Sequence, residues 1–199
     1  MEGWYDRREK VQIPLLLHGA STRKLGCGEA TANAKLCHAI DEAIQDGYVT
    51  FISGMARGVD IWGAELVLER RAMNSALHLI CALPYAGFEQ RWSPQWQMRY
   101  QEILQQADLI KVICPSYSMA AFQQRNEWMV DHSRRLIAIY SGSPGGTRNT
   151  LEYAKQKRLE IAIYDPKNGT IGANGKIAET PCKSLLFSLK SAKNTVTNP

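Results

Sequence analysis

The feature that most constrains this chain is a rhythm of short apolar runs set between longer amphipathic stretches. The runs span 13–18, 49–53, 77–82, 109–114, 136–140 and 161–164, with Gly, Pro, Asp or Ser at their borders. Short, continuous runs of this kind suit strands covered on both faces, although periodicity alone does not separate them from buried helical turns. Between them lie segments of helical period over 30–46, 59–73, 95–107, 123–133 and 147–158. Leu36, Ile40 and Ile44 make one stripe, and Val59, Trp62, Leu66 and Met73 make the next. Gly47 stands where a helix C-cap is expected, and Asp108 and Asp165 mark further transitions. Alternation of strands and helices predicts repeated βα units. The expected fold is α/β, a Rossmann-like three-layer sandwich with a mostly parallel sheet of five to six strands.

The 199 residues match one ordinary domain, assigned here to 11–165. From Pro166 the apolar rhythm fades among Asn168, Gly169, Gly172, Asn174 and Gly175, so 166–199 reads as a partly flexible C-terminal appendage. Within it, Leu185, Leu186, Phe187 and Leu189 form a short apolar element suited to dock on the domain or on a second copy, which keeps a homo-oligomer open. The net charge of +5 favours anionic partners. Part of that excess sits on Lys176, Lys183, Lys190 and Lys193 in the appendage, so a small anionic molecule is expected and nucleic acid is not. The five cysteines, Cys27, Cys37, Cys81, Cys114 and Cys182, lack zinc-ligand spacing; reduced thiols, no metal and no cofactor are expected. Residues 1–10 lack the apolar region of a secretory signal, and no run is long enough to cross a bilayer. A cytoplasmic protein without a membrane partner is expected.

Two strand-to-helix junctions are rich in glycine. The first is Ser53-Gly54-Met55-Ala56-Arg57-Gly58-Val59-Asp60. Gly54 and Gly58 let the backbone take φ > 0 or approach a ligand closely, and the following helix offers unpaired N–H groups and a positive dipole end to an anion, unless the turn merely packs. The second is Ser141-Gly142-Ser143-Pro144-Gly145-Gly146-Thr147-Arg148-Asn149-Thr150. Here the N–H groups of Gly145, Gly146 and Thr147, with the hydroxyl of Thr147 or Thr150, suit an anion nest, unless Thr147 serves only as a helix cap. Parallel strands all end on one side, so the two turns are expected at the ends of adjacent strands, sharing one pocket.

Other residues point to the same edge. Ser21 and Arg23 follow the first run, and Tyr85 and Trp92 follow the third, where either ring offers a face for base stacking. Arg125, Asn126 and Asp131 belong to the fourth helical segment and read as a ligand clamp or as surface ion pairs. A guanidinium at a helix start can donate a bidentate pair to phosphate, whereas an exposed ion pair adds at most about 1 kcal/mol to the fold, so Arg125 is expected to contribute more to binding than to folding. Glu65 lies near the face of Val59 and Trp62, either aimed at the site or solvated.

The stretch from Ile52 to Glu65, reading ISGMARGVDIWGAE, together with Arg125-Asn126-Glu127-Trp128-Met129-Val130-Asp131 and Gly145-Gly146-Thr147 with Thr150, resembles the SLOG superfamily. That superfamily joins the Smf/DprA DNA-processing proteins with the Lonely Guy phosphoribohydrolases, and the branch most similar to this chain is YpsA-like. The resemblance spans roughly His18 to Asp165 and leaves out the appendage. It implies a Rossmann-like fold in which both turns bind nucleotides or nucleotide-derived molecules, often for ligand sensing. Lonely Guy enzymes use an arginine and the glutamate of a PGGxGTxxE motif. Here Pro144 to Glu152 is similar but carries an extra residue before the Thr. A helical residue swings about 100° per position, so that shift leaves open whether Glu152 faces the site or turns away from it.

Three functions follow. The leading one is binding or sensing of a nucleotide, nucleotide-sugar or ADP-ribose-like ligand. Backbone N–H groups with Arg57 or Arg125 would hold phosphate, and Asp60 or Asp131 a ribose or base edge. The second is a nucleoside-monophosphate N-glycoside hydrolase, with Glu65 or Glu152 as acid/base and Arg125 positioning phosphate. The third is DprA-like binding of single-stranded DNA.

Overall fold

A computed structural model of the chain describes residues 15–19, 29–165 and 169–171. The elements run β1 (Leu15–Gly19), α1 (Glu29–Gln45), β2 (Thr50–Ser53), α2 (Val59–Arg71), β3 (His78–Leu83), α3 (Pro94–Gln106), β4 (Leu109–Val112), α4 (Ala121–Asp131), β5 (Arg135–Ile139), α5 (Gly146–Gln156), β6 (Glu160–Asp165) and β7 (Gly169–Ile171). They build one seven-stranded sheet in the order β4-β3-β2-β1-β5-β6-β7. All neighbours are parallel except β6 and β7.

The apolar alternation within each strand sorts side chains into two cores. Phe51, Leu79, Cys81, Ile137 and Ile139 face one layer, with Leu36 and Ile40 of α1, Ile61 and Trp62 of α2, and Tyr100 and Ile103 of α3. Ile52, Ala82, Leu136 and Ala138 face the other, with Met129 and Val130 of α4 and Leu151 and Ala154 of α5. The α/β sandwich is therefore three-layered, as the continuous apolar runs require.

Three details depart from the sequence reading. The sheet has one strand more than the five to six expected. Residues 169–171 turn back antiparallel on β6, pairing Ile163 with Ile171 and Asp165 with Gly169; three residues are too few to show a period. The fourth strand stops at Val112, and the N–H groups of Ile113 and Cys114 go instead to the carbonyls of Leu83 and Pro84. Cys37 is disulfide-bonded, contrary to the expectation of thiols throughout. Cys81 and Cys114 are free and buried, and burial, followed by the nearby Asp108 charge, pushes the Cys81 thiol up to about 12. Among the described residues no helix is long and apolar enough to cross a membrane.

The winding order positions the site. The chain lays β2, β3 and β4 outward on one side of β1, then crosses to the other face and places β5 on the opposite side of β1. Consecutive connections thus diverge between β1 and β5, and at such a switch point the crevice beyond the carboxyl ends of the strands is open to a ligand.

Candidate functional site

Both glycine turns lie at this carboxyl edge, each leading into a helix, but β1 separates their strands, so they are not adjacent as expected. The gap is bridged by the N-terminal half of α4.

The β2–α2 turn closes upon itself. Met55 (φ 59°) and Gly58 (φ 101°) take left-handed backbone conformations that fold the chain tightly. The buried Ser53 hydroxyl donates to the Asp60 carbonyl at 2.8 Å and accepts from the Met55 N–H at 3.1 Å. The Asp60 carboxylate, fully buried, accepts from the Ala56 N–H at 3.3 Å. Arg125 completes the network: its Nη1 donates to the Gly54 carbonyl and lies 3.7 Å from Asp60 Oδ2. Burial lowers the pKa of its guanidinium, and the Asp60 charge opposes that shift. A Cβ on Gly54 would meet Asp60 Oδ2 at 2.8 Å and collide with the Arg125 guanidinium. Arg125 is thus a buried partner of Asp60 and not a member of a surface ion pair: a charge reads as exposed in sequence until a distant element buries it.

The β5–α5 turn stays open. Gly142 (φ 85°) and Gly145 (φ 142°) swing the chain into α5, whose N-cap is Gly145, without any side-chain cap. Thr147 is buried and does not cap; the Thr150 hydroxyl bonds back to the Gly146 carbonyl at 2.9 Å. Gly146 and Thr147 begin the helix, so their N–H groups have no acceptor within it. Beside them is Asn126, 4% exposed. Its amide nitrogen lies 3.9 Å from the point a Cβ on Gly146 would occupy. Its Oδ1 is buried without a hydrogen-bond partner. The Asn126 amide thus lies beside a helix start whose first N–H groups have no intrahelical acceptor, an arrangement that can hold an anionic oxygen.

The remaining sequence-derived residues are distributed as follows. Arg57 is exposed, its guanidinium 5.5 Å from the centroid of the Trp92 ring. Tyr85 sits at the same sheet edge within an aromatic cluster. Asp131 stands apart, at the far end of α4, where it accepts from Tyr153 at 3.2 Å and pairs with Lys157 at 2.8 Å. Glu65 is clamped by Arg99 through two bonds of 2.6 and 2.5 Å. Glu152 pairs with Arg148 at 2.8 Å on the exposed side of α5. Ser21 and Arg23 lie outside the described residues. Sequence reasoning missed Tyr117 and Phe122, which join Tyr85 at 5.5 and 5.9 Å between ring centroids; no spacing pattern links loops that only the sheet order brings together.

The family model described as the YspA SLOG family matches residues 30–167. The chain belongs to the YpsA-like SLOG family. Among its relatives, the uncharacterised SPbeta prophage-derived protein YoqJ of Bacillus subtilis is 35% identical over 143 residues, covering 65% of this chain and 84% of YoqJ. A UPF0398 protein of Staphylococcus epidermidis is 34% identical over 108 residues, covering 53% of this chain and 55% of the relative. The chain thus spans little more than half the length of that protein. In structure it is similar to DNA processing protein A of Helicobacter pylori, solved for its single-stranded DNA binding mode, with a TM-score of 0.54 at 16% identity over 92% of this chain and 74% of that one. This likeness is one of fold, and it confirms the Rossmann-like α/β class. It also corrects the expectation that set nucleic acid aside as a partner, because a protein of this fold binds single-stranded DNA. That expectation rested on net charge, which favours anionic partners without telling a small molecule from a polynucleotide.

Proposed function

We propose that this protein binds a nucleotide-type phosphate at the start of α5, in the crevice between the carboxyl ends of β1 and β5. The observation that carries this reading is Asn126, a buried amide whose Oδ1 has no partner and whose nitrogen faces the uncapped helix start at Gly146. A phosphate oxygen would accept from the amide nitrogen and from the helix N–H groups, and a ribose hydroxyl or a base amino group would satisfy Oδ1. The β2–α2 turn acts as the frame that holds α4, and with it Asn126, in place. The reading is of binding rather than hydrolysis, since Glu65 and Glu152 are both held in ion pairs with arginines.

A second reading, capture of the same phosphate within a single DNA strand, is favoured by the aromatic rings of Tyr85 and Tyr117 at this sheet edge. Such binding would weaken steeply with salt, whereas a single phosphate contact would not. The decisive variant is Asn126→Leu. Removing an unsatisfied buried polar group should leave stability unchanged or raise it by about 1 kcal/mol, while calorimetric binding of nucleoside 5′-monophosphates or a ten-nucleotide strand falls at least about tenfold. Full affinity in a folded Asn126→Leu protein would overturn the assignment.

A further inference from the structure

Beyond β3 and β4 the carboxyl edge carries a second feature that phosphate binding leaves unused. A cavity of about 390 Å³ opens there, lined by Tyr85, Gly87, Phe88, Gln90, Arg91 and Tyr117. Its volume falls within the range of small-molecule sites, roughly 300–1,000 Å³. Tyr117 is 66% exposed, so the fold gains little from its ring, which lies edge-on to Tyr85 at 5.5 Å and 79°. Tyr85 is itself braced edge-on by Phe88 at 6.1 Å and Phe122 at 5.9 Å. This packing orients the rings around the cavity without stacking their faces on one another. Gly87 takes φ +79°, and a Cβ there would meet Gln90 Nε2 at 2.6 Å, so its lack of a side chain admits the Gln90 amide. The lining thus combines aromatic faces, an amide that both donates and accepts, and a guanidinium that donates in one plane. That set suits a flat heteroaromatic ring with polar edges and not an aliphatic chain.

The cavity is also tied to the phosphate crevice. Phe122, which braces Tyr85, and Asn126, which faces Gly146, stand four residues apart on α4. Such residues lie on one helix face with Cβ atoms about 6 Å apart. Along the sheet, β5 lies three strands from β3, about 14 Å at roughly 4.8 Å per strand, a distance that successive units of a strand or an extended nucleotide-derived molecule span.

We propose that this cavity is a base-accepting subsite: an unstacked nucleobase lies against Tyr117 and Tyr85, and Gln90 and Arg91 hold its polar edge. The inference rests on the phosphate reading above and extends it to the part of the ligand that the subsite selects. The base is the shared chemistry of a free nucleotide and of a single strand.

The experiment compares probes with and without a base, using the four nucleoside 5′-monophosphates against ribose 5-phosphate, and a ten-nucleotide strand against its abasic counterpart. At least one base-bearing probe should bind at least about tenfold more tightly than its base-free partner, in line with stacking on one aromatic ring. Tyr117→Ala should erase that preference while leaving ribose 5-phosphate or the abasic strand unaffected, and Tyr117→Phe should restore it. The set that shows the effect, mononucleotide or strand, identifies the source of the base. Equal affinity with and without a base, or a preference that survives Tyr117→Ala, would overturn the subsite while leaving the phosphate reading intact. Failure of every probe to bind would remove both.

Discussion

The β2–α2 and β5–α5 turns have the same local design, a strand, glycines at positive φ and a helix start, but they end in opposite states. In the first, Ser53, Asp60 and Arg125 consume the polar groups of the turn, and a Cβ on Gly54 would strike the guanidinium that holds it. In the second, no side chain caps the helix, and the nearest atom to a Cβ on Gly146 is 3.9 Å away. One glycine makes room for the protein itself, and the other leaves room for something else. Glycine in a βα turn therefore signals a close approach without saying whose. The partner is revealed by what fills the space where its side chain would be.

The largest effect should come from Arg125→Ala, which strands the buried Asp60 carboxylate. Loss of about 3–5 kcal/mol of stability is expected, read by denaturant unfolding. Removing both charges with Arg125→Met and Asp60→Leu should recover much of that loss. A stable Arg125→Ala protein would mean that the first turn does not depend on its ion pair, and the contrast between the turns would collapse.

Gly54→Ala comes next, with a cost of about 1–3 kcal/mol from overpacking against Arg125 and Asp60. A thermal melt equal to that of the wild type would show that the turn has slack. Ser53→Ala should cost about 1–2 kcal/mol, because the Met55 N–H and the Asp60 carbonyl would lose their shared hydroxyl. Ligand affinity in this variant should stay close to wild type once the protein is folded, and a specific loss of affinity would place Ser53 in the binding site instead.

The smallest stability change is expected at Gly146→Ala, within about 1 kcal/mol and in the stabilising direction, since alanine suits a helix position better than glycine. Nucleotide or strand binding should nevertheless fall at least about tenfold. If Gly146→Ala instead unfolds the protein, the second turn is as closed as the first.

The element order was legible because period and turn chemistry are local. The segments expected at 49–53 and 95–107 appear as Thr50–Ser53 and Pro94–Gln106, and the family was recognised from the residues around Gly54 and Gly145. β7 is not legible because three residues carry no period, and the closeness of Asp131 to Arg125 in sequence hides that Asp131 lies at the other end of α4, against Lys157. The aromatic cavity escaped because Tyr85 and Tyr117 belong to different loops, joined only when β3 and β4 pair.

By itself, then, the sequence determined the alternation of strands and helices, the common edge at which the glycine turns emerge and the side-chain chemistry available there. Tertiary structure alone decided which turn is closed and which is open. Arg125 reaches the Gly54 carbonyl across 71 positions of sequence, and it does so because the crossover after β4 lays α4 over the opposite face of the sheet. A helix or turn is specified by neighbours along the chain. The fate of a charged or amide side chain depends on the dielectric and the partners it meets after packing, and those come from distant elements.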